Sequence, residues 1–113
     1  MIVFDTSAVM AILFEEPGGD IALAAFPEGI LCTANATEVI SRLIDAGETP
    51  DRAVRVLTRL RLPIIPFDAA LAIDAGLLRA TTRSGGLSLG DRACIALARA
   101  RSLPVLTGDR IWA

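Results

Sequence analysis

The sequence contains no histidine, no lysine, no tyrosine and no glutamine. Each absence removes a chemistry. Without His there is no Ser-His-Asp triad, no Cys-His pair and no imidazole acting as general base. The usual His/Cys zinc sites are excluded with it. Without Lys there is no P-loop, no Schiff base and no lysine-assisted phosphoryl transfer. Cysteine is scarce: Cys32 and Cys94 lie in apolar surroundings, ILCTA and RACIA, and form no C-x-x-C. They read as small core residues rather than as metal ligands or a disulfide. Catalysis at neutral pH is left mainly to carboxylates and a hard cation.

Long hydrophobic runs are also missing, and none approaches the roughly 18 residues of a membrane span. The start, MIVFD, has no basic segment and no small-residue cleavage site, so no signal peptide is expected. The expectation is one cytoplasmic globular domain over all 113 residues, whose 53% hydrophobic content can build a core without disulfides. Eleven Arg against thirteen Asp plus Glu leave a net charge of −2. That is not the basic field of a general nucleic-acid binder; any such contact must come from local Arg and bound metal.

What is present is an alternation of short apolar runs and helical patterns. IVF (2–4), ILC (30–32), a short segment bracketed by Pro63 and Pro66, and PVLT (104–107) read as strands. Helices are predicted from Asp5-Thr6-Ser7 to the break at Pro17-Gly18-Gly19, over 20–26, over 34–46, from Thr49-Pro50-Asp51 to about Leu62, over 69–83 behind Asp68, and over 90–101. SGGLSLG (84–90) reads as a flexible loop. The pattern argues for an α/β fold: a mainly parallel central sheet of four to five strands, with helices on both faces. In such sheets ligands sit beyond the carboxyl ends of the strands, where strand order reverses.

Acids fall at those ends. Asp5 follows the first strand and Asp109 the last. Asp91 begins the helix after the glycine-rich loop, and Glu38 lies early in the helix after strand two. Each has a plainer reading. Asp5 could be an acid ahead of a helix capped by Thr6 or Ser7. Ser88 and Asp91 form an S-x-x-D capping box. Glu38 lies opposite the apolar stripe Ala36, Val39, Ile40, Leu43 and Ile44, where it could be solvated or paired with Arg42. Asp109 could be a turn residue. Arg92 and Arg110 directly follow two of these acids, so they are candidates for phosphate contact as well as for a solvated face.

The succession DTSA (5–8), NATEV (35–39), LSLGDRACIALA (87–98) and LTGDRIW (106–112) resembles the PIN-domain nucleases, most of all the VapC-type toxins of bacterial toxin–antitoxin pairs. The resemblance spans nearly the whole chain. It implies a three-layer PIN-like fold and Mg²⁺- or Mn²⁺-dependent hydrolysis of RNA. It places the family's acidic positions on Asp5, Glu38, Asp91 and Asp109, and polar site positions on Thr6, Asn35 and Thr107. It further implies an antitoxin partner and a homodimer. Family members usually continue past the D-R-x-W stretch with a final short strand, whereas this sequence ends at Ala113. One sheet edge is therefore expected to lack that strand.

Gathered carboxylates repel one another. Two unit charges about 4 Å apart cost roughly 4 kcal/mol at an effective dielectric near 20. A divalent cation among them removes that cost, and oxygen-only ligands select Mg²⁺ or Mn²⁺. Two rivals stand beside this expectation. A haloacid-dehalogenase-like phosphatase needs a second Asp two residues after the first, where this chain has Ser7. A non-catalytic interaction domain would use exposed apolar patches as its whole function.

Overall fold

The computed structural model describes residues 1–82, 86–108 and 110–112. The chain opens with β1 (Ile2–Phe4), α1 (Thr6–Leu13), α2 (Gly19–Ala25) and a 3-10 turn (Phe26–Glu28). Next come β2 (Gly29–Cys32), the helices α3 (Thr33–Asp45) and α4 (Pro50–Leu60), and β3 (Ile64–Ile65). Helices α5 (Ala69–Leu77), α6 (Arg79–Thr82) and α7 (Leu89–Arg101) lead to β4 (Val105–Thr107) and β5 (Arg110–Trp112).

The five strands form one sheet in the order β3-β2-β1-β4-β5. The first four are parallel, with Phe4 opposite Leu31 on one side and Leu106 on the other. Because side chains alternate along a strand, the sheet sorts its residues into two layers. Phe4, Leu31 and Leu106 pack with α1, α3 and α4 through Val9, Met10, Val39, Leu43 and Ala53. Val3, Ile30, Cys32 and Val105 pack on the opposite face with α5 and α7, through Leu71, Ala75, Cys94 and Leu97. Strands buried on both faces read as short continuous apolar runs, which is how they were legible in sequence. Both cysteines are free and buried, as their apolar flanks imply.

Several boundaries differ from expectation. Helix α4 stops at Leu60 rather than near Leu62, because Arg61 adopts a left-handed conformation (φ 57°) ahead of Pro63. The single helix expected over 69–83 is two, α5 ending at its cap Leu78 and α6 starting at Arg79. Residues 83–85 lie outside the described residues, and with them most of the predicted loop's start. The loop's last residues, Leu89 and Gly90, are already helical. The five strands fall within the four to five expected, although no apolar run marked the last; β5 pairs antiparallel with β4, Thr107 facing Arg110 and Val105 facing Trp112.

Candidate active site

Strand β1 is central, and the chain leaves it for β2 on one side while β4 arrives on the other. The carboxyl end of β1 is thus the point where strand order reverses. Asp5 stands there. It is also the N-cap of α1: Oδ1 accepts from the Ala8 amide at 2.9 Å and from the Ser7 hydroxyl at 2.6 Å. The cap expected at Thr6 or Ser7 is therefore Asp5 itself. Ser7 in turn accepts from the Gly108 amide at 2.9 Å, tying the start of α1 to the residue after β4. Asp5 is 7% exposed. Burial pushes its pKa up, opposed by the Ser7 and Ala8 bonds and reinforced by the nearby charge of Asp91.

Asp91 comes from the opposite layer. The capping box forms: Ser88 Oγ accepts from the Asp91 amide at 3.1 Å, and Asp91 Oδ2 accepts from the Ser88 amide at 3.0 Å. This engages one carboxylate oxygen and leaves Oδ1 without a hydrogen-bond partner among the described residues. Asp5 likewise keeps Oδ2 free. Both acids border one cavity of about 800 Å³, with Thr107 and Trp112 on its rim and Cys94 on its floor. Burial, helped by the carboxylates around it, raises the Cys94 thiol far above its ordinary range, so it is an inert wall rather than a nucleophile.

Glu38 does not line that cavity. Its Oε1 accepts from the Thr6 hydroxyl at 2.6 Å and from Asn35 Nδ2 at 3.3 Å. The alternative pair with Arg42 is not formed among the described residues. Asn35, only 1% exposed, also donates to Thr6 Oγ1 at 3.1 Å and to the Gly90 carbonyl at 3.2 Å. It therefore joins α1, α3 and α7 and is too buried to reach a substrate. Its own Oδ1 is buried without a partner among the described residues. Gly90 makes this junction possible: a Cβ there would lie 2.0 Å from Glu38 Oε1.

The remaining expected residues divide. Thr107 borders the cavity and accepts from Trp112 Nε1 at 3.1 Å. Arg110 is exposed on β5, on the same side of the strand as Trp112 by alternation. Arg92 is turned away: its Nη1 donates to the Ala75 carbonyl on α5 at 3.2 Å. This bond ties α7 to α5. Asp109 lies outside the described residues. Among the described residues no three His, Cys, Asp or Glu side chains approach closely enough to form a complete metal cage. The free oxygens of Asp5 and Asp91, with Glu38 behind Thr6, are nevertheless hard, anionic donors, the kind that suits Mg²⁺ or Mn²⁺ rather than zinc or copper.

Sequence reasoning gave no site role to Ser7, Gly90 or Trp112. Ser7 had a signal in the D-x-S spacing, which lets a hydroxyl fold back on the acid two residues earlier. Gly90 had none, since the neighbour it accommodates is 52 positions away by sequence (38 against 90).

The PIN domain family model matches residues 2–113. The chain belongs to the PIN-domain family. Solved structures agree with this PIN fold. A chain of a toxin–antitoxin complex from Klebsiella pneumoniae superposes with a TM-score of 0.74 at 21% identity, covering 95% of this chain and 85% of that one. The sarcin–ricin-loop-cleaving toxin VapC20 of Mycobacterium tuberculosis has a TM-score of 0.74 at 16% identity, over 91% of this chain and 85% of that one. A chain of DNA-bound VapBC from Salmonella typhimurium gives 0.70 at 21%, over 95% and 86%. No curated protein matches the sequence significantly. PIN domains are generally nucleases that depend on divalent metal, so this chain falls among hydrolases acting on nucleic acid. No helix among the described residues is long and apolar enough to cross a membrane.

Proposed function

We propose that this PIN domain is a Mg²⁺- or Mn²⁺-dependent endoribonuclease and the toxin of a toxin–antitoxin pair. One observation carries the reading. Asp5 and Asp91, from opposite layers of the fold, border the same cavity at the carboxyl end of the central strand, each with an unengaged oxygen. A buried and a half-buried carboxylate bordering one cavity are costly without a counter-ion. In this reading Asp5, Asp91, Glu38 and Asp109 hold the cation, which when bound supplies a positive charge for the phosphate and a more acidic water.

The protein's own groups do the orienting. Ser7 and the Ala8 amide hold the Asp5 carboxylate in one rotamer, and the Ser88 amide does the same for Asp91. Thr6 and Asn35 set Glu38. Thr107 and Arg110 are the proposed contacts to the RNA backbone at the cavity rim. One carboxylate orients the attacking water and takes its proton. Attack in line on phosphorus breaks the bond to the 3′ oxygen, leaving a 5′-phosphate and a 3′-hydroxyl. With no imidazole to deprotonate a ribose 2′-hydroxyl, water is the natural nucleophile.

The partners named in the neighbours' titles suggest the rest. The Salmonella typhimurium neighbour is a VapBC assembly, and an antitoxin is proposed here by analogy. Exposed Ile73, Leu77 and Leu89 offer apolar surface for a homodimer or that antitoxin. Acting on RNA with such a partner, the protein would work in the cytoplasm. The test is cleavage of total RNA with and without a chelator, beside Asp5→Ala and Asp91→Asn. Metal-dependent cleavage lost in both variants is expected. Cleavage that survives chelation, or ends as a 2′,3′-cyclic phosphate, would refute the mechanism.

A further inference from the structure

Arginine is this chain's only basic residue type, and four of its eleven arginines fall in or directly after α4: Arg52, Arg55, Arg59 and Arg61. Spacings of three and four put Arg52, Arg55 and Arg59 on one helical face. All three are exposed, and with Val56 they line a shallow groove of about 320 Å³. Arg52 pairs with Glu48 at 2.7 Å. Among the described residues, neither Arg55 nor Arg59 has a carboxylate within ion-pair distance. A row of unneutralised guanidinium groups on a chain of net charge −2 is a local cationic field of the kind that attracts a polyanion.

We infer that this row binds the sugar–phosphate backbone of RNA beside the helix that carries Glu38; the inference rests on RNA being the substrate. An acidic centre repels a polyanion, so Arg110 at the rim needs further cations beside it, and Arg92 already donates to the Ala75 carbonyl. The placement suits the role. Helix α3, which carries Glu38, starts directly after the carboxyl end of β2. Helix α4 packs on α3 and runs back to β3, whose Ile64 pairs with Leu31 of β2. The row thus lies on the helix packed against the one that carries Glu38. A protein partner would want an apolar centre to anchor on, and the groove floor offers only half-buried Val56. Phosphates need no such anchor. Contacts of this kind position the strand without reading its bases.

The experiment measures binding of a fluorescein-labelled, single-stranded oligoribonucleotide of mixed sequence, in chelator so that nothing is cleaved, across a salt series. Arg55→Gln with Arg59→Gln is compared with Arg79→Gln with Arg101→Gln, an equal charge change on exposed residues off the row. Each lost phosphate contact lowers the log–log salt slope by about 0.7 for single strands. The row variant should therefore lose roughly 1.4 of slope, so that its affinity ratio between 50 and 200 mM salt shrinks roughly sevenfold. The off-row variant should keep the wild-type slope. Each single row substitution should show about half the effect, and Arg55→Lys with Arg59→Lys should retain it. Equal slopes for the two glutamine pairs would overturn the inference. So would loss of polyglutamate binding with RNA binding intact, which would make the row a face for an acidic protein. Cleavage of the same oligonucleotide with Mn²⁺ tests the nuclease reading separately. Cleavage with an unchanged slope sinks only the row; a reduced slope without cleavage sinks only the nuclease.

Discussion

Replacing Gly90 by Ala tests the junction of α3 and α7. Gly90 has no positive φ, so closeness rather than backbone conformation requires glycine. The three atoms nearest a built Cβ all belong to the Glu38 carboxyl group, at 2.0, 2.5 and 2.8 Å. A carboxyl group is the far end of a flexible side chain, so it moves and the backbone stays. In moving, it gives up the bonds from Thr6 and Asn35. A hydrogen bond to a charged group contributes about 1.5–3 kcal/mol. Ala in place of helical Gly returns roughly 0.5–1 kcal/mol. Gly90→Ala should therefore cost about 1 kcal/mol net, or about 4 °C in Tm for a domain of this size. In a Glu38→Ala background the clash and the bonds are already gone, so the same change should stabilise by roughly 0.5–1 kcal/mol. Urea unfolding of the four proteins yields the coupling, expected near 2 kcal/mol on these figures. A coupling below about 0.5 kcal/mol, the level at which independent sites add, would show that the close approach is not real. Cleavage should fall far more than stability, because Glu38 is displaced while the fold is kept.

Three further outcomes are expected. Burial raises the Asp5 pKa, so the folded state holds its proton to higher pH than the unfolded chain does. Stability of the metal-free protein should then fall as pH rises from about 4, the unfolded value, through the folded one, and Asp5→Asn should abolish that slope; parallel wild-type and variant curves would contradict the assignment. Saturating Mg²⁺ or Mn²⁺ should raise Tm, by the equivalent of about 2.7 kcal/mol at a hundred times Kd, and should fail to do so in Asp91→Asn. Ser7→Ala removes the hydroxyl that joins Asp5 to the Gly108 amide. It should cost about 1.5 kcal/mol and slow cleavage at saturating substrate, whereas an unchanged rate would show that Asp5 needs no such support.

The two-layer core was legible because parallel strands buried on both faces leave short, unbroken apolar runs, as IVF and ILC do. Thr49-Pro50 and Ser88-Asp91 announced helix starts because capping is a contact over three residues, wholly contained in a local string. Strand β5 was invisible. Three exposed residues, Arg110 to Trp112, carry no burial pattern, and only the partner strand defines them. The bond of Arg92 was hidden for a related reason: its neighbour in sequence is Asp91, but its guanidinium reaches back to Ala75.

Local order along the chain was enough to determine which residue types could do chemistry here, and that acids follow strands one and four. Elimination did much of this, since a chain without His or Lys has few ways to handle a phosphate. Tertiary structure alone decided the company each acid keeps. Asp5 and Asp91 share a cavity, while Glu38 is drawn to Thr6 and Asn35 through the gap left by Gly90. The physical reason is distance along the chain. Capping and alternation act over a few residues, whereas the field and hydrogen bonds around a buried carboxylate come from elements that meet only when the sheet closes.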